Sequence, residues 1–99
     1  MRTGGADQTT ETTSTATMLL TVRYFAAARA AAGTESETVP VAPGTTVAGL
    51  IDALAARGAE LARVLQRCSY LCDGVAVRDE ALNLRDGQTI DVLPPFAGG

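Results

Sequence analysis

The sequence ends in Pro94-Pro95-Phe96-Ala97-Gly98-Gly99, and its final diglycine is the part best suited to covalent chemistry. Glycine has no Cβ, so its backbone can enter a channel that is too narrow for other residues. The Gly99 carboxylate has no side chain beside it. It could therefore be activated without steric hindrance, for example as an acyl-adenylate, and then attacked by a sulfur or nitrogen nucleophile. We therefore predict that Gly99 is a covalent carrier, and that Gly98 and Ala97 keep the tail slim.

The residues before the diglycine are suited to presenting it. Pro94 and Pro95 have a fixed φ and favour a straight, extended approach. Six residues from 94 to 99 reach at most about 20 Å beyond the body. Phe96 is a candidate anchor at the mouth of a partner's pocket, because aromatic residues are frequent interface anchors; alternatively, it folds back onto its own core. A glycine-rich terminus can also lack a role, but here the apolar segment 89–93 would hold the base of the tail.

Composition narrows the possible functions. Ninety-nine residues make one small domain. The formal net charge is −3 with no basic run and few aromatic residues, which disfavours nucleic-acid binding. No apolar run is long enough to cross a membrane, so we expect a cytoplasmic protein with no membrane partner.

Two residue types are missing from the chain. All eight basic residues are arginine, so no lysine can accept an isopeptide bond. A ubiquitin-like tail on this chain could therefore act as a donor but could not build chains of itself. Histidine is also missing, which removes the usual general base and the commonest metal ligand. We expect no bound metal or cofactor, and we expect partner proteins to supply the chemistry, so the chain is not a self-sufficient enzyme.

The two cysteines, Cys68 and Cys72, are four residues apart. On one strand they would be about 13 Å apart, which is too far for a disulfide. We interpret them as small, semi-buried apolar residues in a reducing compartment. The alternative is a redox or persulfide role.

The chain divides into three parts. Residues 1–17 are rich in threonine and lack the apolar region of a signal peptide, so we predict a disordered extension. Residues 18–93 form the folded domain, and residues 94–99 form the extended tail. Apolar alternation predicts strands and apolar residues at helical spacing predict helices. Strands are expected over 19–25, 35–41, 69–72, 75–77 and 88–93. Helices are expected over 26–32, from an N-cap at Thr45 or Thr46 to about Arg57, and over 60–67.

These elements predict an α+β domain with one main helix across one face of a mixed sheet. The apolar stripe of that helix consists of Val47, Leu50, Ile51, Leu54 and Ala55. A β-grasp arrangement satisfies the order of elements: a first hairpin, a crossover helix, and a last strand placed centrally beside the first. The centre of the sheet frays least, so it is a suitable base for a functional tail.

Several motifs of the chain resemble the MoaD/ThiS sulfur-carrier family, whose fold is the ubiquitin-like β-grasp. They cover about residues 18–99. The double proline most resembles small subunits of molybdopterin synthase. The motifs are Tyr24-Phe25-Ala26, Thr45-Thr46-Val47 with Leu50, Asp86-Gly87-Gln88, and the ending 94–99.

The resemblance implies a cycle of activation and sulfur transfer. An E1-like (MoeB-like) adenylyltransferase would use ATP to adenylate the Gly99 carboxylate, and a sulfur donor would convert it to a thiocarboxylate. The tail would then enter the large (MoaE-like) subunit of molybdopterin synthase. There the sulfur would pass to cyclic pyranopterin monophosphate during molybdenum cofactor biosynthesis.

Three other functions stay open at this point. The chain could carry sulfur for thiazole or cysteine synthesis, it could be a ubiquitin-like protein modifier, or it could be a binding module with an incidental tail. The outer faces of Leu19, Phe25 and Leu93 are weaker candidates for partner contact, because scattered exposed apolar residues are common.

Overall fold

The computed structural model describes residues 17–95, and it confirms the predicted strands and helices with bounds that differ by at most two residues. Nearly all of the predicted N-terminal extension and the residues from Phe96 to Gly99 lie outside the described residues. The elements in chain order are β1 (Met18–Tyr24), α1 (Ala26–Ala32), β2 (Ser36–Val41), α2 (Val47–Ala55), α3 (Ala59–Leu65), β3 (Ser69–Cys72), β4 (Val75–Ala76) and β5 (Thr89–Leu93).

The strands form one mixed sheet in the order β2-β1-β5-β3-β4. The last strand, β5, runs parallel to β1 and antiparallel to β3, which places it at the centre of the sheet. β2 returns antiparallel beside β1, and β4 returns antiparallel beside β3. This topology is the β-grasp, as the order of elements predicted.

The core lies between one face of the sheet and the helices. In β1, alternation places Leu20, Val22 and Tyr24 in the core, while Leu19 and Arg23 are exposed. Ile90 and Val92 of β5 point to the same face and are almost fully buried. The helices contribute the apolar stripe of α2 and smaller patches of α1 and α3: Ala28, Val47, Leu50, Leu54, Leu61 and Leu65.

Cap residues and residues with positive φ lie at the ends of the elements, close to the bounds that the sequence predicted. Thr46, one of the two predicted N-cap residues of α2, accepts a hydrogen bond from the Gly49 N–H at 3.1 Å. Gly33 ends α1 in the left-handed conformation, with φ of 80°. Asp73 and Gly74, between β3 and β4, both have positive φ, which suits a tight hairpin turn.

Two kinds of feature are not found within residues 17–95. No helix there has the length and apolar character that a membrane crossing requires. No group of three or more histidine, cysteine or acidic residues there could hold a metal ion.

Candidate functional site

The tail leaves the body from the end of the central strand. The backbone N–H of Phe25 donates to the Val92 carbonyl at 3.2 Å, and Leu93 pairs with Ser69 of β3. Pro94 is buried, whereas Pro95 is exposed. The body therefore holds the chain as far as Pro94. Beyond Pro95, four residues can span at most about 14 Å.

Two of the predicted site residues, Pro94 and Pro95, lie within the described residues at the base of the tail. Phe96, Ala97, Gly98 and Gly99 lie outside them, so their roles as anchor, slim segment and covalent carrier stay predictions. The sheet brings Phe25 and Leu93 close to the tail base. It places Leu19 at the opposite end, where the Leu19 carbonyl accepts from the Gly87 N–H.

A pocket of about 310 Å³ lies beside the tail base. Its lining combines Ala27 at the start of α1 with the last turn of α3 and the segment after it. The lining residues are Ala27, Arg63, Val64, Arg67, Pro94 and Pro95. No local pattern in the sequence points to these two arginines, because the packing of α3 next to the tail does not follow from the spacing of residues.

An ion pair lies on the outer face of the sheet, opposite the helices. Arg23 of β1 and Asp91 of β5 are cross-strand neighbours, and the guanidinium donates to both carboxylate oxygens, Nε to Oδ1 at 2.6 Å and Nη2 to Oδ2 at 2.9 Å. Asp91 is only 5% exposed, and its hydrogen bonds and charge raise the pKa of Arg23. The Arg23 guanidinium also lies 5.6 Å from the centroid of the Phe25 ring. The ion pair therefore holds the Arg23 guanidinium on the outer face of the sheet, within cation–π distance of Phe25.

The signal for this pair was available in the sequence. Arg23 and Asp91 both stand inside predicted strands, where a charged residue usually needs a partner. The β-grasp prediction made those two strands neighbours. The register between β1 and β5 decides that the two charged residues are neighbours. This register cannot be predicted from the sequence alone.

Neither cysteine is among the residues that line the pocket beside the tail base. Cys68 lies just before β3, is half-buried, and its Sγ donates to the Val64 carbonyl at 3.2 Å. Cys72, at the end of β3, is buried in the core. Burial raises the pKa of both thiols, so little reactive thiolate forms near neutral pH. The burial of both side chains agrees with their interpretation as small, semi-buried apolar residues.

The residues that line the pocket beside the tail base include no general base. The sequence has no histidine or lysine, and the titratable side chains that line the tail pocket are arginines, which stay protonated and cannot act as bases. Among the described residues, the lining of this pocket therefore supplies no general base for chemistry at Gly99.

The fold and the tail base together define a class, the ubiquitin-like β-grasp proteins whose C-terminal segment leaves from the central strand. Within that class the chain belongs to the ThiS family, whose sequence model matches residues 22–99. This confirms the resemblance to the MoaD/ThiS sulfur carriers that the motifs indicated.

Three relatives show how far the similarity extends. A molybdopterin synthase sulfur carrier subunit from Chlamydomonas reinhardtii is 29% identical over 83 residues, which is 83% of this chain and all of that protein. The solution structure of the HVO 2177 protein of Haloferax volcanii is 32% identical with a TM-score of 0.75 and covers 85% of this chain and 89% of that one. The crystal structure of SAMP1, a small archaeal modifier protein from the same organism, is 25% identical with a TM-score of 0.72 and covers 82% of this chain and 99% of that one.

Proposed function

We propose that this chain is the sulfur-carrier small subunit of a molybdopterin synthase. The proposal depends on one observation. A Pro-Pro-Phe-Ala-Gly-Gly segment directly follows the central strand of a ThiS-family fold. Support for the molybdopterin pathway comes from the molybdopterin synthase sulfur carrier subunit of Chlamydomonas reinhardtii. This chain aligns with the full length of that protein at 29% identity.

The proposed cycle uses Gly99 as the reacting group. Its carboxylate attacks the α-phosphate of ATP on an E1-like activating enzyme, pyrophosphate leaves, and an acyl-adenylate forms. A sulfide-level nucleophile from a sulfur donor attacks the acyl carbon and AMP leaves, which gives a thiocarboxylate. The large subunit of the synthase then receives the tail, the sulfur passes to cyclic pyranopterin monophosphate, and water restores the carboxylate.

Each residue of the tail has a part in this cycle. Buried Pro94 fixes the direction in which the tail leaves, and exposed Pro95 extends it. Phe96 would occupy the mouth of the partner's channel, while Ala97 and Gly98 would lie in its narrow part. A β-branched residue in place of Gly98 would then block entry.

Complementation tests the proposal. A strain that lacks its molybdopterin synthase small subunit should regain molybdoenzyme activity when it expresses the full chain. It should not regain activity from a chain without Gly98 and Gly99, or from Gly98→Val at equal expression. Rescue of a strain that lacks its thiazole sulfur carrier, with no rescue of the molybdoenzyme, would instead assign the chain to thiazole synthesis. Activity with the truncated chain would contradict every carrier function.

A second candidate function is protein modification. The observation that favours it is the similarity to SAMP1, the small archaeal modifier protein of Haloferax volcanii. In that case Gly99 would form an amide bond with lysines of other proteins, and the absence of lysine from this chain would prevent it from modifying itself. Peptide mass spectrometry of cell extracts would show lysines joined to Gly99 if the chain is a modifier and none if it is solely a sulfur carrier.

A further inference from the structure

The pocket beside the tail base combines an apolar wall with two cationic side chains. At about 310 Å³, it lies at the lower end of the size range of pockets that hold small ligands, about 300–1,000 Å³. A lining of this kind suits a ligand that has both an apolar group and an anionic group. The wall consists of Ala27, Val64 and the two prolines, and the charge comes from Arg63 and Arg67.

Both arginines can accept an anion. Arg67 is exposed and forms no ion pair with any residue between 17 and 95. Arg63 contacts Glu60 at 3.1 Å, but both of these side chains are 70% exposed, so a second carboxylate can compete for the guanidinium. Because Arg63 and Arg67 are four residues apart near the end of α3, their like charges repel each other. An anion beside both guanidinium groups would relieve this repulsion.

The C-terminus of the chain itself has the two groups that suit this pocket. Phe96 supplies an aromatic ring, and Gly99 supplies a carboxylate. Pro95 is part of the pocket wall, and the Cα atom of the next residue is only about 3.8 Å further along the chain. The four residues after Pro95 can reach at most about 14 Å, and glycine allows the backbone to turn back.

Covalent attachment favours the tail over any free ligand of the same chemistry. A group on a short flexible tether is present at an effective concentration in the millimolar range. The tail therefore competes for the pocket in every copy of the protein, whatever the concentration of other molecules.

Two other pockets of residues 17–95 are less suited to the tail. One of them is lined by the carboxylates of Asp52 and Glu80, which would repel an anion. Neither is lined by the prolines at the tail base. The other has two arginines, but each already pairs with an acidic residue: Arg23 with Asp91, and Arg29 with Glu35.

We propose that the C-terminal tail has a resting position on its own domain. In this position Phe96 occupies the pocket beside the tail base, and the Gly99 carboxylate pairs with Arg63 and Arg67. The resting position is separate from the extended form in which the tail would enter a partner. The inference goes beyond the proposed function, because it does not require that Gly99 be adenylated or carry sulfur.

The resting position would control access to the tail. A tail in this pocket cannot at the same time lie in the channel of a partner, so a partner binds only the molecules whose tail is released. If the tail is at rest in about nine molecules of ten, the apparent affinity of any partner falls about tenfold. The pocket would thus set how readily the terminus is available.

Solution NMR of the isotopically labelled full chain tests the resting position. In the wild-type chain at low salt, nuclear Overhauser effects should connect the Phe96 ring with the methyl groups of Ala27 and Val64. The backbone order parameters of Ala97 and Gly98 should exceed about 0.6, below which a backbone is flexible. Added salt should lower these order parameters, because it screens the charges at the surface.

Two variants each remove one of the proposed contacts. Arg63→Gln combined with Arg67→Gln removes the charges, and Phe96→Ala removes the ring. In both variants the order parameters of Ala97 and Gly98 should fall below about 0.6. The signals of the folded domain should keep their dispersion, which shows that the loss is confined to the tail.

Arg78→Gln combined with Arg85→Gln is the matched control for charge. It changes the net charge by the same amount at two exposed arginines that do not line the pocket. The order of the tail and the contacts of Phe96 should therefore be the same as in the wild-type chain.

Three results would each overturn the resting position. They are wild-type order parameters below about 0.6 for Ala97 and Gly98, a Phe96 ring without contacts to Ala27 and Val64, and an equally ordered tail in the glutamine variant of the pocket. None of them bears on the proposed function, which complementation tests separately.

Discussion

At the scale of single residues, Ala26 has an unusual backbone conformation. It joins β1 to α1 with φ of 50°, a region that costs a residue with a Cβ roughly 1–2 kcal/mol. The sharp bend lets α1 begin directly after β1, so that Phe25 remains exposed beside the tail base. The run of alanines predicts a helix from Ala26, because alanine is a good helix former, but it gives no sign of this strain.

Glycine at this position should therefore stabilise the fold. Ala26→Gly relieves the strain but adds chain entropy to the unfolded state, so we expect the free energy of unfolding to rise by about 0.5–1 kcal/mol. Ala30→Gly is the control, because Ala30 is exposed inside the same helix and its replacement should lower stability by about 1 kcal/mol. Urea denaturation measures both. Equal losses in the two variants would contradict the positive φ of Ala26.

At the scale of elements, helix α2 depends on its cap. Thr46 Oγ1 accepts from the Gly49 N–H, and the Thr46 backbone also forms a β-bridge with Asn83. The cap thus fixes where α2 begins, and the bridge joins the start of this helix to the segment before β5. The sequence limited the cap to Thr45 or Thr46 but could not choose, because both hydroxyls precede the same apolar stripe. In the structure Thr45 Oγ1 donates instead to the Ala42 carbonyl at 2.6 Å.

Removal of the cap hydroxyl should weaken the whole domain. Thr46→Ala leaves the Gly49 N–H without its side-chain acceptor, and we expect the free energy of unfolding to fall by about 1 kcal/mol. Thr46→Ser keeps the acceptor and should retain most of that stability. Thermal and urea unfolding of the two variants provide the comparison. A serine variant as unstable as the alanine variant would show that the threonine methyl group, and not the cap, is what matters.

Element order and apolar spacing were enough to predict the β-grasp, since each strand and helix carries its own periodic signal. The candidate site was predicted only along the tail, where the chemistry follows from residue types. The contacts around the tail base could not be predicted in this way. Arg67 and Pro94 are far apart in sequence, and they line one pocket only because α3 packs near the end of β5.

At the scale of the whole molecule, the core contains groups that must stay neutral. Burial raises the pKa of Cys68 and Cys72, and burial together with nearby acidic groups raises the pKa of Tyr24 and Tyr70. Tyr24 donates to Glu37 at 2.6 Å and Tyr70 donates to the Leu65 carbonyl at 2.8 Å. Each neutral group favours the folded state below its unfolded pKa, and that contribution is lost as the pH rises above it.

The domain should therefore lose stability in alkali. In the unfolded chain, the pKa of cysteine is about 8.5 and that of tyrosine is about 10. The free energy of unfolding should therefore fall progressively above about pH 8.5. Tyr70→Phe removes one ionising group and one hydrogen bond. It should be less stable than wild type by about 1 kcal/mol at pH 7, and this gap should narrow above pH 10. Urea midpoints measured from pH 7 to 11 test this, and a gap that stays constant would show that Tyr70 ionises equally in both states.

The central claim is that Gly99 carries sulfur, and intact mass measures this most directly. The full chain would be incubated with the activating enzyme, ATP and a sulfur source, next to a chain without Gly98 and Gly99. We predict that the full chain gains the mass of one oxygen replaced by sulfur and that the truncated chain does not change. An unchanged mass of the full chain, with an enzyme that loads another carrier in the same mixture, would contradict the account.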